Sequence, residues 1–299
     1  MLLVPPAPAP QIPEERINDV VYFNPADVDF PPALNILHAS GRLEREHLVN
    51  EMVSTFRRFF PEAWGPRLEH ILLHSLATVS LIRGGTLRDV RRLLRDKNYR
   101  YRVVSKLTDP DLIAFWNQEF TELPKGSTDP VLNKLSPFLM KATVRNIVCQ
   151  PRTSINFDQI LNGRKILLAN LSFGLLGEAV AGTLGTFLMT KLLGATFRRA
   201  ALPKDRRPLF YLYVDEFQNF LNLGRGFDKI LSEARKFGLV LAGMANQYVK
   251  QISDVRAAIF GNVGTIITFR VGLDDARLLA RDLQGFTAEE ILSLQLGEA

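Results

Sequence analysis

Cysteine is almost absent from this sequence, with Cys149 as the one example among 299 residues. A lone cysteine excludes a disulfide within the chain and favours a reducing compartment, so the expected location is cytoplasmic. The simplest role for its side chain is that of a small buried apolar group.

Long uninterrupted apolar runs are also absent. The most apolar region, residues 166–197, is interrupted by Glu178 and Lys191 and contains several glycines. The apolar run at residues 1–4 is too short for a secretory signal, and prolines follow it at once. The sequence therefore predicts neither a signal peptide nor a transmembrane helix.

Several short motifs that carry chemistry are missing. The phosphate-binding loop G-x-x-x-x-G-K-[ST] does not occur: residues 125–128 have the wrong order, and residues 84–86 lack the lysine. No Ser-His-Asp or Cys-His pattern is evident. His70 and His74 are four residues apart on a predicted helix, but no third ligand is obvious, which favours packing or a surface position over zinc binding.

The composition is that of a globular protein. Hydrophobic residues make up 46% of the chain and charged residues 23%. The length allows one large domain or two ordinary ones. The net charge of +6 permits a polyanionic partner without requiring one.

The pattern of the chain changes three times. Residues 1–16 are rich in proline and are predicted to be extended or disordered. Residues 17–40 contain a short strand, Val20–Phe23, and residues 41–145 show helical spacing throughout, which predicts an all-helical domain. In residues 146–299 strands alternate with helices, which predicts an α/β core with a parallel sheet.

Local signals define the predicted elements. Thr86 is a plausible N-cap for a helix over residues 87–96, and Asp109 before Pro110 predicts another helix start. The strands of the α/β part are predicted at 165–171, 209–214, 239–244 and 265–270. Its helices are predicted at 179–198, at 227–236 with Gly238 as the terminating glycine, at 253–260 and at 274–283.

Two adjacent carboxylates, Asp215 and Glu216, end the apolar run at 209–214. The run reads as a buried strand of a parallel sheet, and burying both acids would be costly, so they are expected at its carboxyl end, where open α/β sheets bind ligands. A Walker B strand has this design: the first acid binds Mg²⁺, and the second orients the attacking water. Apolar strands that end in Asp-Glu without this function are also common.

Two further polar residues lie near the neighbouring strand. Gln247 follows the strand at 239–244, where an amide can contact a γ-phosphate and water, although a solvated turn explains it equally well. Arg235 precedes the same strand. It is either a favourable partner of a helix carboxyl end or an arginine finger that reaches the nucleotide of a neighbouring subunit.

A basic stretch with interleaved tyrosines lies in the helical region. Its candidate DNA-binding residues are Arg91, Arg92, Arg95, Arg100 and Arg102. Phosphate contacts are one interpretation of this stretch. A solvated helix face is the alternative, since Arg91 and Arg95, four residues apart, share one face of the predicted helix.

The ordered set of these features resembles the TraG/TraD-like coupling ATPases of conjugation and type IV secretion, within the HerA/FtsK motor superfamily. The segments that carry the resemblance are 17–25, 130–135, 143–147, 165–177, 213–217, 234–239, 245–247, 261–265 and 269–272. The resemblance extends from about residue 12 to the carboxyl terminus. Each motif alone is weak, and the order of the set is what makes it specific.

The resemblance implies a RecA-like P-loop NTPase core, incomplete at its amino-terminal side, with an all-helical insertion. It implies ATP and Mg²⁺ as cofactors, with Asp215 on the metal, Glu216 as the catalytic carboxylate and Gln247 as the γ-phosphate sensor. Arg235 matches an arginine that acts in trans, and Arg270 lies near further interface residues. The implied partners are DNA, relaxosome and secretion components, and identical subunits in a ring, expected to be a hexamer.

The sequence departs from this family at the phosphate-binding loop, which family members carry upstream of the segment equivalent to residues 17–19, usually after membrane helices. We therefore expect this chain to correspond to the carboxyl-terminal part of a motor and not to hydrolyse ATP alone. Full-length relatives would sit at the cytoplasmic face of the inner membrane. The alternatives are a non-enzymatic module that docks DNA or secretion substrates, and a HerA/FtsK-like DNA-processing translocase.

Overall fold

A computed structural model of the chain describes residues 12–39, 41–218, 233–244, 248–252, 255–283 and 285–299. Gln247 and most of the predicted helix at 227–236 lie outside these residues, as do residues 1–11 of the proline-rich segment. The side chain of Leu43 is likewise left undescribed.

In the part of the chain that the structure describes, four short strands form two parallel pairs. The pairs consist of β1 (Val20–Phe23) with β2 (Ile166–Ala169), and β3 (Phe210–Val214) with β4 (Leu239–Met244). Parallel pairing confirms the predicted strand direction. Among the described residues no ladder joins the two pairs, so the one sheet that we expected is observed as two separate pairs.

One hydrophobic core unites the strand pairs and the helices packed on them. Fully buried side chains from both pairs, such as Phe23, Leu167, Leu212 and Leu239, belong to the same cluster. The strands span only four to six residues each and make few ladder bonds. Burial of apolar side chains, rather than strand hydrogen bonds, therefore holds the two pairs in one fold.

The chain between β1 and β2 is helical wherever it forms regular structure in the described residues. Its α-helices are α1 (Arg42–Phe59), α2 (Pro66–Ser80), α3 (Leu87–Arg95), α4 (Lys97–Val104), α5 (Pro110–Ala114), α6 (Asp129–Met140), α7 (Ala142–Val148) and α8 (Phe157–Asn162). A π-helical turn, Phe115–Glu119, and a short helix, Phe120–Glu122, extend α5.

The predicted helix starts are confirmed. The Thr86 backbone N–H donates to the Asp89 carboxylate over 2.9 Å, so the two residues form a capping box before α3. The Asp109 carboxylate accepts from the N–H groups of Asp111 and Leu112 before α5, with Pro110 in the first turn. These side chains satisfy amide groups that a helix cannot pair internally.

The long apolar helix follows β2 and a short helix, α9 (Phe173–Leu176). This helix, α10 (Glu178–Arg198), confirms the prediction for 179–198 within one residue. Among the described helices it is the one long and apolar enough to cross a membrane, but 78% of its apolar window is buried inside the protein. Its composition is therefore explained by its position in the core.

The predicted strand at 265–270 is wrong. This segment has no regular structure between α11 (Arg256–Asn262) and α12 (Leu273–Asp282), and α13 (Ala288–Ser293) follows them. Ile267 is 69% exposed and Phe269 is 56% exposed. A strand needs a neighbour for its backbone hydrogen bonds, and the described part of the chain places none beside these residues.

Candidate functional site

Strand β3 alternates between buried and exposed residues. Phe210, Leu212 and Val214 are buried, whereas Tyr211 is 51% exposed and Tyr213 is 45% exposed. We expected a strand buried on both faces, and this expectation is wrong. In the two-stranded pair one face packs on the core and the other keeps its tyrosines partly open to solvent.

Asp215 and Glu216 follow β3 directly, at its carboxyl end, and both side chains are exposed. The backbone N–H of Glu216 donates to Asp215 Oδ1 over 3.0 Å, and Gln218 Nε2 donates to the Glu216 carboxylate. The acid pair thus lies at the strand end where parallel sheets present ligand-binding groups, as the sequence predicts.

Glu216 has a backbone φ of +48°. Left-handed backbone is unfavourable for a residue with a Cβ and costs about 1 kcal/mol. The turn after β3 therefore holds the second carboxylate residue, Glu216, in a left-handed backbone conformation. Strain of this kind is concentrated at functional sites, where the surrounding structure fixes a side chain in an unusual direction.

The acid pair can supply part of a magnesium site. Mg²⁺ is usually held by one or two carboxylates, with water and substrate phosphates completing its octahedron. Asp215 fits this mode as a single exposed carboxylate. The described residues contain no group of three or more His, Cys, Asp or Glu side chains that could hold a metal alone, so a metal here would depend on phosphate and water oxygens.

Arg235 lies at the opposite end of the strand pair. It is exposed within a 3₁₀ turn, Ala234–Phe237, which precedes the first residue of β4. Since β3 and β4 are parallel, the length of the pair, about 17 Å for a strand of five residues at ~3.3 Å each, separates this turn from Asp215. Arg235 is therefore not part of the acid-pair site of its own chain.

Two arginines that the sequence analysis missed hold the turn that carries Arg235. Arg207 Nη1 donates to the Lys236 carbonyl over 3.0 Å, and its guanidinium lies 5.5 Å from the centre of the Phe237 ring. Buried Arg199 donates to the Phe237 carbonyl. Both arginines follow the apolar helix α10 in the sequence, and no sequence signal indicated these long-range bonds.

Gly238 ends this turn in the left-handed conformation, with φ of +81°. The prediction that it terminates the preceding segment is confirmed for the described residues. A Cβ at this position would lie 2.8 Å from Arg199 Nη1 and 3.0 Å from the Pro208 carbonyl oxygen. Glycine is therefore required both by the backbone angle and by the close approach of these groups.

The other predicted nucleotide residues are not brought to the acid pair by the described structure. Gln247 lies outside the described residues. Arg270 is exposed in the irregular segment between α11 and α12, and its side chain has no ion pair or hydrogen bond with any residue that the structure describes. The described structure therefore neither supports nor contradicts the predicted roles of these two residues.

The five arginines of the basic stretch fall into two groups. Arg100 Nη1 donates to the Leu93 carbonyl over 2.9 Å, and Arg92 lies 3.6 Å from the Asp96 carboxylate and 4.1 Å from the Tyr99 ring centre. These two arginines stabilise α3 and α4. The other three, whose side chains have no ion pair or hydrogen bond within the described chain, are Arg91, Arg95 and Arg102.

The histidine pair packs against aromatic side chains. The His74 ring stacks on Phe115 at 4.0 Å, and burial lowers the pKa of His74. His70 Nε2 lies 2.8 Å from the Glu119 carboxylate. The half-buried thiol of Cys149 has a pKa raised by burial, which keeps it protonated and unreactive at neutral pH.

Comparisons with known proteins support the fold. No protein-family model and no curated protein sequence matches the chain. The solved structures that match include three of TrwB: the bacterial conjugative coupling protein TrwBdeltaN70 in an unbound form (TM-score 0.61, 13% identity), TrwB with the GTP analogue GDPNP (0.61, 13%) and TrwB with ADP and Mg²⁺ (0.62, 12%). Each similarity covers 93% of this chain and 69% of the TrwB chain.

This similarity establishes the fold. The chain has the α/β P-loop NTPase fold of TrwB, with helices inserted between β1 and β2. The resemblance to TraG/TraD-like coupling proteins is thereby confirmed in its architecture. At 12–13% identity the similarity does not transfer an activity.

Proposed function

We propose that the chain is the carboxyl-terminal part of an ATP-driven motor that moves DNA or nucleoprotein during conjugative transfer. The observation that supports this proposal is the exposed acid pair, Asp215 and Glu216, at the carboxyl end of a core strand in the fold of TrwB. A fold without such a pair would support only a scaffold.

Each proposed residue has one task. Magnesium-bound ATP would supply the phosphoryl group, and Asp215 would hold the metal through its carboxylate. Glu216 would orient the attacking water and polarise it. Gln247 would contact the γ-phosphate, with Arg270 nearer the subunit interface.

Arg235 would act across a subunit interface. It lies at the far end of the strand pair from its own acid pair, a position that fits an arginine supplied to the site of a neighbouring subunit, where it would stabilise charge. We propose that the subunits form a ring, and that this ring is a hexamer. A ring enclosing DNA and facing relaxosome and secretion components at the cytoplasmic side of the inner membrane fits this function.

The missing phosphate-binding loop favours a second candidate for this chain. Without G-x-x-x-x-G-K-[ST], no glycine-rich loop with a lysine is present to hold the β- and γ-phosphates. In this alternative the helical part docks DNA or secretion substrates, and the motor fold is a scaffold. A HerA/FtsK-like DNA-processing translocase is a rival within the motor class.

Conjugative transfer in the native host tests the motor proposal. Replacement of Glu216 by Gln removes the catalytic charge and keeps the size, so transfer is expected to fall at least about a hundredfold, within the range for loss of one catalytic group. Glu289→Gln, an exposed acid on α13, is the matched control and should leave transfer unchanged. Equal transfer by both variants would overturn the proposal.

Calorimetry separates the motor part from the docking module. The purified chain and its Asp215→Asn variant are titrated with a non-hydrolysable ATP analogue and Mg²⁺, and we expect no micromolar binding that depends on Asp215, since the loop that holds the phosphates at the acid pair is missing. Micromolar binding that Asp215→Asn abolishes would show that another loop replaces the missing one. It would also contradict our assignment of this chain as the carboxyl-terminal part of a motor.

A further inference from the structure

A cleft of about 810 Å³ lies where the chain enters and leaves the helical region. Its walls come from the segment after β1, from the turn between α2 and α3, and from the segment after α7. None of its lining residues belongs to β3 or β4, so it is separate from the acid pair. Its volume is typical of clefts that hold small ligands, which often form at such domain junctions.

A buried asparagine fixes the two segments that form the floor of this junction cleft. Asn35, fully buried, donates from Nδ2 to the carbonyls of Gly85 over 3.1 Å and of Pro151 over 3.3 Å. Its Oδ1 accepts from the Leu37 N–H over 2.9 Å. All of these bonds are made inside the protein, so the floor is held in place before any ligand binds.

The glycine turn contributes to the placement of two arginines in the lining of the cleft. Gly84 has φ of +73°, and a Cβ there would lie 2.8 Å from Pro151 Cβ. Because these two backbones are in close contact, their sequence neighbours, Arg83 and Arg152, both line the cleft. Neither arginine side chain has an ion pair or hydrogen bond with any described residue, and both are exposed.

A third arginine is oriented from the other wall. Arg45 Nε donates to the carbonyl of Ser80, the last residue of α2, over 3.1 Å. This bond holds the Arg45 guanidinium at the carboxyl end of α2. Its two terminal nitrogens, Nη1 and Nη2, remain as donors for other partners. His38 also lines the cleft, and no acidic side chain is among the described lining residues.

We propose that the junction cleft is a phosphate-binding site. Three guanidinium groups with no competing carboxylate form a positive field in a partly enclosed space, and planar forks of this kind bind phosphate oxygens in pairs. The ligand carries at least two phosphate groups, because the arginines come from separate walls. Such groups occur in nucleoside polyphosphates and in the backbone of single-stranded nucleic acid.

This site goes beyond the proposed motor function and does not depend on it. The residues that would bind phosphate lie on the helical region and on the segments that connect it to the core. A bound ligand would therefore restrict the motion of the helical region relative to the core. Base stacking has little support here, since His38 has the one aromatic ring among the described lining residues. Recognition would therefore depend on phosphate charge rather than on base stacking.

Pyrophosphate without metal is the direct probe, titrated into the purified chain by calorimetry at low salt. The test variant is Arg83→Gln with Arg152→Gln, and the matched control is Arg67→Gln with Arg277→Gln, which removes two exposed arginines from α2 and α12. We expect the test variant to bind at least about tenfold more weakly than the wild type, and the control to bind within about twofold. Melting temperatures of both variants should match the wild type.

A second arm identifies the source of the phosphate. ATP without metal and a short single strand of DNA are titrated separately into the wild type, the test variant and the control variant. If only the test variant loses affinity for ATP and pyrophosphate, the ligand is assigned as a nucleotide. If only the test variant loses affinity for the DNA strand, the ligand is assigned as a nucleic-acid backbone. Equal losses in test and control variants, or no binding of any phosphate ligand by the wild type, would overturn the proposal.

Discussion

Arg199 donates a hydrogen bond from Nη1 to the backbone carbonyl of Phe237, 3.0 Å away, in the turn before β4. The same nitrogen donates to the Pro208 carbonyl over 3.0 Å, just before β3, and Nε donates to Asn162 Oδ1 over 2.9 Å. Nη2 donates to the Leu161 carbonyl. One guanidinium, only 1% exposed, thus joins the end of α8 to the starts of both strands that flank the candidate site.

Loss of this guanidinium is expected to lower stability strongly. Arg199→Leu leaves several buried acceptors without a donor, which predicts a loss of about 3 kcal/mol in the free energy of unfolding. Arg199→Lys keeps the charge but cannot reach acceptors on three segments, so its loss should be intermediate. Denaturant titration measures both, and the exposed Arg206→Leu is the control, with an expected change within about 0.5 kcal/mol. Similar losses at positions 199 and 206 would refute this role.

Gly238 should tolerate no side chain. Gly238→Ala combines an unfavourable φ of +81° with a Cβ only 2.8 Å from Arg199 Nη1, so we expect a loss of about 2 kcal/mol. Gly264→Ala is the control, since a Cβ at that position would have nothing within 4 Å and its φ lies outside the left-handed range. Thermal or denaturant unfolding that shows equal stability for the two variants would contradict this requirement.

The sequence predicts elements whose cause is local. Thr86 forms a capping box with Asp89, three residues away, and Asp109 caps α5 with its own carboxylate. The apolar run of α10 can likewise be recognised without knowledge of its neighbours. The acid pair at the end of β3 is found in the same way, because an apolar run of strand length and two charges that are costly to bury are visible in one short stretch.

The features that the sequence does not predict depend on distant partners. The segment 265–270 has strand-like residues, but only a neighbouring strand could make it one, and the described structure supplies none. Arg199 looks like a helix-end cation, yet its partners are up to 38 residues away in the chain. The junction cleft likewise combines residues from separate segments of the chain, and no single segment predicts that these residues will meet.

Backbone strain at Glu216 can be measured by comparison of glycine with alanine. With φ of +48°, glycine is the better residue, so Glu216→Gly should be about 1 kcal/mol more stable to unfolding than Glu216→Ala. Asp205, exposed in a 3₁₀ turn with no positive φ, is the control position, where glycine should be the less stable substitution. The same order at both positions would show that Glu216 is not strained.

Lys191 is expected to make stability depend on alkaline pH. Its Nζ donates to the His38 carbonyl over 2.6 Å, and burial lowers the pKa of Lys191 from 10.5 to about 8, partly opposed by Glu44. Between these values the unfolded chain binds a proton that the folded chain does not, so the free energy of unfolding rises with pH in this window. Below pH 8 the cost of the buried charge is present in full.

The variant Lys191→Met isolates this effect, because it has no titrating group at this position. The stability of the wild type relative to the variant should rise by up to about 3 kcal/mol between pH 8 and pH 10.5, and other titrating groups cancel in the difference. Denaturant titrations at several pH values measure it. If the difference in free energy of unfolding between wild type and variant stays constant from pH 8 to pH 10.5, burial does not destabilise the charged form of Lys191.

The basic stretch should separate into DNA-contacting and structural arginines. The side chains of Arg91, Arg95 and Arg102 have no described partner, so their joint replacement by glutamine should weaken single-stranded DNA binding with little effect on stability. If each contacts one phosphate, the slope of log affinity against log salt should fall by about 2. Arg100→Gln, by contrast, should lower stability, since Arg100 donates to the Leu93 carbonyl at the end of α3.

Fluorescence anisotropy over a salt series measures this slope directly. The matched control replaces three exposed arginines elsewhere, Arg67, Arg206 and Arg277, and removes the same net charge. If the stretch is only a solvated face of α3 and α4, both triple variants will lose the same small affinity through net charge alone. A fall in slope confined to the basic stretch would assign it phosphate contacts, because only local contacts change the number of ions released on binding.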